Sequence, residues 1–256
     1  MKQTIGTICI NLFLALFLAS CGGSSSTPSN VVKDGLNWKG HQWAVTTGAM
    51  AGVARGNPAN VSVDANGYLH LKITNNGGAF TAAELFSKDN LGFGTYQWQI
   101  QGSIDNMDPA TVLGFFPYGP QASIGIDGEN ELDIEFSKWG NTLCGGACNA
   151  DFTFFPSTGN KSIGSTENDF KVNLGAGALT TARLVWNSTS VVATVMSGLQ
   201  PVGTTANVLH TWTFSPSDYT VRIPQQPVPV GMNLWCFQTT PASNQEVIIQ
   251  DFQFAP

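Results

Sequence analysis

Charge is what this sequence has least of: 11 Lys and Arg with 17 Asp and Glu in 256 residues amount to 11%, under half the share usual in a soluble domain. The basic residues form no run and the net charge is -6. Nucleic acid is therefore excluded as a partner, because phosphate binding needs clustered Lys and Arg. Helical periodicity is also missing. No apolar stripe with a 3.6-residue repeat follows residue 30, so nothing points to a helical bundle. Histidine is scarce and scattered, at positions 41, 70 and 210. There is no H-E-x-x-H pair, no G-x-S-x-G elbow and no phosphate-cradling G-x-x-x-x-G-K-[ST] loop. What is abundant is glycine (28), proline (13) and hydrophobic residues (42%), a composition suited to an extracytoplasmic β protein with a neutral partner.

The N-terminus, MKQTIGTICINLFLALFLASCGG, has one early Lys, an apolar stretch ending at Leu18 and small residues before Cys21. That pattern is a secretory signal, and its apolar part is shorter than the roughly 20 residues of a membrane span. Leu18-Ala19-Ser20-Cys21 resembles the bacterial lipobox, in which cleavage leaves a lipid-carrying cysteine. Residues 1–20 are thus expected to be a lipoprotein signal peptide, Cys21 the lipidation site, and GGSSSTPSN the core of a flexible tether over 21–35. The mature protein would be a monomer lipid-anchored in a bacterial cell envelope, at the outer membrane or cell surface. Residues 36–256 are then long enough for one large domain and hardly enough for two. Cys144 and Cys148, in CGGAC, are expected to pair as a disulfide in an oxidising compartment. The same spacing is used by metal sites, but no second Cys or His cluster completes one.

Several segments alternate apolar and polar residues with a period of two: YLHLKI (68–73), TYQWQIQ (95–101), ELDIEF (131–136) and VIIQDFQF (247–254). Each is bounded by turn-forming residues, which predicts an all-β sandwich or jelly roll of two antiparallel sheets. In ELDIEF, alternation sends Leu132, Ile134 and Phe136 to the core and Glu131, Asp133 and Glu135 to the opposite face. Asp is disfavoured in strands and neighbouring like charges repel, so three acids there need a reason. In a cleft wall, crowding prevents all three from ionising together, leaving an acid beside a base. A retaining glycosidase uses such a pair, with carboxyls about 5 to 5.5 Å apart. At about 3.3 Å per residue the Cα atoms of residues 131 and 135 lie roughly 13 Å apart, a gap that inclined Glu side chains narrow. A solvated acidic edge and a metal site remain the other uses of such a strand, although calcium loops wrap their ion and an alternating strand does not. His70, on the polar face with Tyr68 and Lys72, reads as a surface or cleft residue.

Glu131-Leu132-Asp133-Ile134-Glu135 resembles the E-x-D-x-E signature of glycoside hydrolase family 16, which contains licheninases and laminarinases. Further segments resemble the family in the same order: LGFGTYQWQIQ and TVLGFFPYGP before the signature, PQQPVPVGMNLWCF and EVIIQDFQF after it. The resemblance spans nearly all of residues 40 to 256. It implies a concanavalin-like jelly roll with a cleft on its concave face, and endo-acting hydrolysis of internal β-glycosidic bonds with retention. The glycan would be a β-1,3- or β-1,3-1,4-glucan first, with a galactan also open. Carried over by position, Glu131 is the nucleophile, Glu135 the general acid and base, and Asp133 the assisting carboxylate. Trp235 and Asn233 would line the sugar subsites, with Phe116 and Tyr118 as further candidates and Trp139 as a loop anchor. No cofactor is implied beyond a structural calcium known in the family, for which no residues here identify a site. The chain departs from the licheninase-like pattern at AAELFSKD, which has Phe86 near the place of the family's glycan-binding Arg, at Gly128-Glu129-Asn130, where a Trp is missing, and at TARLVW, which lacks a preceding His and Tyr. Glu129 is an extra charge without an assigned role. The competing reading is a non-catalytic, lectin-like carbohydrate-binding relative.

Overall fold

The structure, a computed structural model, describes residues 35–119 and 127–256. The signal peptide, Cys21 and all of the tether but Gly35 lie outside the described residues. Sixteen strands make up the described chain: Leu36–Trp38 (β1), His41–Val45 (β2), Arg55–Gly56 (β3), Val61–Val63 (β4), Leu69–Asn76 (β5), Ala79–Ser87 (β6), Gly94–Gln101 (β7), Thr111–Pro117 (β8), Leu132–Ser137 (β9), Ala150–Phe154 (β10), Thr166–Phe170 (β11), Leu179–Trp186 (β12), Val191–Ser197 (β13), Val208–Phe214 (β14), Val230–Cys236 (β15) and Gln245–Ala255 (β16). The only α-helix among the described residues is the single turn Tyr219–Arg222.

Hydrogen bonding links the strands in the order β11-β10-β9-β8-β15-β6-β5-β16-β7-β12-β13-β14. Pairing is antiparallel throughout except for the short β3 on β6. The ribbon folds over at the β5–β6 hairpin, whose pairing is confined to Thr74–Asn76 against Ala79–Thr81. The two halves then stack as a front sheet (β11 to β6) and a back sheet (β5 to β14), giving the jelly-roll sandwich expected from alternation. Aromatic side chains bridge them. Trp98 of β7 packs 5.3 Å from Phe115 of β8 and 5.5 Å from Phe252 of β16, measured between ring centroids. At the far end Phe154 of β10 stacks on Trp212 of β14 at 4.8 Å.

On β9, Leu132, Ile134 and Phe136 are wholly buried in this interface. Their burial fixes the strand's register, because a slip of one residue would drive the acids into the core. The same parity runs across the front sheet: Leu113 and Phe115, Phe152 and Phe154, and Met232 and Leu234 point inward with them. The alternate residues of these strands form the sheet's open face, where the site lies.

Candidate active site

Register places the open-face residues in rows across the strands. One row runs Asp169 (β11), Asp151 (β10), Glu135 (β9), Gly114 (β8), Asn233 (β15) and Glu84 (β6). The next runs Glu167, Thr153 and Asp133 on β11 to β9, with Phe116, Gly231 and Phe86 opposite each other on β8, β15 and β6. A chain poor in charge has thus placed seven of its 17 Asp and Glu on one surface, with no Lys or Arg among the open-face positions of these strands.

Asp133 is buried, while Glu131 and Glu135 keep an exposed edge. All three are pushed up in pKa, first by burial and then by one another's charge. Glu131 rises to about 8 through burial and the charge of Asp127, against a hydrogen bond with Asp133 that favours its ionised form. That same bond raises Asp133, so the shared proton rests on Asp133 and points at Glu131. Glu135 has only raising influences, burial first and then the charge of Asp151, Glu131 and Glu167. Glu131 alone has an influence that favours its ionised form, so it is placed to give up its proton ahead of Asp133 and Glu135.

This crowding has a thermodynamic consequence. A carboxyl whose folded pKa lies above its unfolded value binds more protons folded than unfolded, so stability is fully present below the unfolded pKa and is lost as pH rises. For Glu131 the window runs from its ordinary 4.5 to about 8. The melting temperature should fall between pH 5 and pH 8 by about 5 °C or more, and Glu135→Gln should flatten that slope. Calorimetry at the two pH values checks this; equal slopes in the two proteins would contradict it.

The residues expected to line the sugar subsites fall on the same face. Asn233 donates to Glu84, which also accepts from Thr46 Oγ1 at 2.8 Å. Burial raises the Glu84 carboxyl, against those two bonds. The Asn233 Oδ1 atom is buried and has no hydrogen-bond partner among the described residues. It overhangs Gly114, where a Cβ would come within 2.6 Å of it. Phe116 packs edge-on to Phe86 at 5.8 Å and covers Gly231, which must lack a Cβ for that reason. Tyr118 contacts Phe86 at 6.5 Å, and its hydroxyl is raised in pKa by burial and then by Glu131, which places it at the carboxylate cluster. Trp235 is only 9% exposed, packed edge-on against Trp139 at 5.8 Å and beneath the loop at Gly52. It borders the open face while contributing to the core.

Trp139 is the loop anchor expected. It opens the segment between β9 and β10, and its Nε1 donates to Asp151 Oδ1 at 2.8 Å. Cys144 and Cys148 in that segment form the expected disulfide, while Cys236 is buried and free. Glu129 is buried, accepting from the Lys161 backbone N–H at 3.1 Å, and so serves to hold the turn before β9. His70 lies in a surface cluster with Glu246, Asp64 and Lys72, away from the site.

Four open-face acids escaped the sequence reading: Glu167 and Asp169 at the edge strand β11, and Glu84 and Asp151 nearer the ELDIEF acids. The latter two had a visible signal: Glu84 is the lone carboxylate in AAELFS, and Asp151 alternates against Phe152 and Phe154. Neither signal says which face of which sheet the residue shares with ELDIEF. Among the described residues no group of three or more His, Cys, Asp or Glu side chains is placed to hold a metal.

No family profile matches the sequence, and no curated protein matches it significantly. Solved structures do. A Bacillus licheniformis β-glucanase superposes with a TM-score of 0.58 at 18% identity, over 90% of this chain and 96% of its own. A β-1,3-glucanase from Mycobacterium marinum gives 0.60 at 17% identity, over 90% and 96%. The GH16 protein of the Bacteroides ovatus mixed-linkage glucan PUL, solved in complex with a G4G4G3G product, gives 0.59 at 14% identity, over 83% and 94%. At these identities the likeness is one of fold: this chain has the β-jelly roll of the β-glucanases over nearly its whole described length.

Proposed function

We propose that the protein is a member of glycoside hydrolase family 16 and an endo-acting, retaining β-glycanase, with a β-glucan as substrate. The carrying observation is the placing of Glu131, Asp133 and Glu135 on the open face at the middle of the front sheet, crowded so that they cannot all ionise. A sandwich with the fold of two glucanases supports the substrate class.

Glu131, relieved of the proton by Asp133, attacks the anomeric carbon while Glu135 protonates the departing glycosidic oxygen. The C–O bond breaks and a glycosyl ester forms on Glu131. Glu135, now ionised, takes a proton from water as that water displaces Glu131, restoring both groups and the original anomeric configuration.

Endo action follows from length. The row from Glu84 to Asp169 crosses five strand intervals, about 24 Å at the usual strand spacing of about 4.8 Å, enough for several sugar rings. The unpartnered Oδ1 of Asn233 is an acceptor for a sugar hydroxyl, and Phe86, Phe116 and Tyr118 offer apolar surface to sugar C–H faces. Seven carboxylates and, among the described residues, no cation on the open-face positions of these strands favour a neutral glycan over a sulfated or uronate-bearing one, through simple repulsion.

Cys21, in this reading, carries the lipid that holds the enzyme at the bacterial envelope. The test is reducing-end release from a panel of neutral β-glucans, neutral galactan and a carboxymethylated glucan. Release of oligosaccharides from a neutral β-glucan, with the carboxymethylated form slower, is expected. Silence across the panel with retained binding to a polymer would replace this reading with the lectin-like one.

A further inference from the structure

A double displacement needs two carboxyls, and the signature supplies three, yet a fourth faces them. Asp151 on β10 is the register partner of Glu135, and antiparallel partners keep their Cβ atoms about 4.5 to 5.5 Å apart on a shared face. Asp151 is 3% exposed. Its carboxylate is fixed by two donors: Trp139 Nε1 to Oδ1 at 2.8 Å and Thr153 Oγ1 to Oδ2 at 2.9 Å. Both bonds favour its charged form, and burial opposes them, lifting it to about 6. Trp139 is itself held edge-on by Phe237 at 4.9 Å and by Trp235 at 5.8 Å. This is a rigid cradle for a negative charge at a place where a second negative charge is unfavourable.

The groups facing Glu135 can be named element by element. Glu131 and Asp133 share its strand, Asp151 stands across on β10, and Glu167 and Asp169 follow on β11. On the other side β8 offers Gly114, β15 offers neutral Asn233, and Glu84 stands beyond on β6. Among the described residues no cation on these strands offsets them. Asp151 is the strongest of the charges acting on Glu135.

We propose that Asp151 is a positioning residue for Glu135: fixed by Trp139 and Thr153, it makes Glu135 hold its proton until the leaving oxygen takes it and accept one readily from water afterwards. The proposal rests on the reading of Glu135 as the acid and base. Asp151 touches neither glycan nor reacting atoms in this scheme; it acts through the charge it holds opposite Glu135. Its influence disappears below about pH 6, where Asp151 itself becomes protonated.

Asp151→Asn keeps an oxygen for the Trp139 N–H and removes the charge. The carboxyl carbon of Glu135, assigned in 13C-Glu-labelled protein with Glu135→Gln as reference, is titrated by NMR in the wild type and in Asp151→Asn. The midpoint is expected to fall by about one pH unit. The alkaline limb of kcat/KM on a neutral β-glucan should move down with it, leaving rates similar below pH 6. Asp169→Asn, one strand farther, should move the midpoint by less than half as much, and Asp151→Glu should restore the wild-type profile. An unmoved midpoint, or a rate lost equally at every pH, would overturn the proposal in favour of a merely structural Asp151. A wild type that cleaves no glycan would defeat the hydrolase reading, while the substrate-free titration would still decide whether Asp151 governs the proton on Glu135.

Discussion

Glu131→Gln is expected to lower kcat on a neutral β-glucan by roughly 10⁴-fold or more, the range found when a nucleophile is removed and the rest of a site is left standing. The amide is nearly isosteric and still offers Asp133 an acceptor, so the protein should fold and bind the polymer. Binding by affinity electrophoresis and melting temperature serve as the controls. The loss comes from chemistry: an amide oxygen cannot form the glycosyl ester. Glu131→Ala makes the prediction sharper. It leaves room for a small anion, and azide should then yield a glycosyl azide of inverted configuration from an aryl β-glycoside. A Glu131→Gln protein retaining a tenth of wild-type kcat would remove Glu131 from the nucleophile's role.

Glu135→Gln should cost about 10²- to 10⁴-fold on the polysaccharide, the usual share of a general acid. The loss should depend on the leaving group. A sugar hydroxyl must be protonated as it departs, whereas a dinitrophenolate leaves unaided. On an aryl glycoside of that kind the first step should stay fast, and the slow second step, lacking its base, should show as a burst of released phenol. The alkaline limb of the pH profile should vanish because the group that titrates there is gone. Equal losses on the two substrates would mean that Glu135 orients the glycan and does not transfer a proton. The Asp133 bond acts with opposite signs at its two ends, favouring charge on Glu131 and the proton on Asp133, a distinction that spacing alone does not give.

Much of this was legible before any coordinates. Alternation in ELDIEF put the three acids on one face because a strand repeats every two residues, and the burial of Leu132, Ile134 and Phe136 is the reason it could not be otherwise. YLHLKI, TYQWQIQ and VIIQDFQF fall within or overlap β5, β7 and β16 for the same reason. CGGAC closed into its disulfide because a four-residue separation leaves few other partners.

Cross-strand neighbours were decided only in three dimensions. Asp151 lies 16 positions after Glu135 and Glu84 lies 51 before it, yet register sets all of them in one row of the front sheet. Local periodicity reports which face of its own strand a residue occupies; it carries no information on which strand lies beside it, since pairing is settled by the packing of the whole sandwich. The three acids of ELDIEF share one face of one segment, and the sequence determined that. Their protonation depends on burial and on charges from β10, β11 and β6, and that was decided by the tertiary structure.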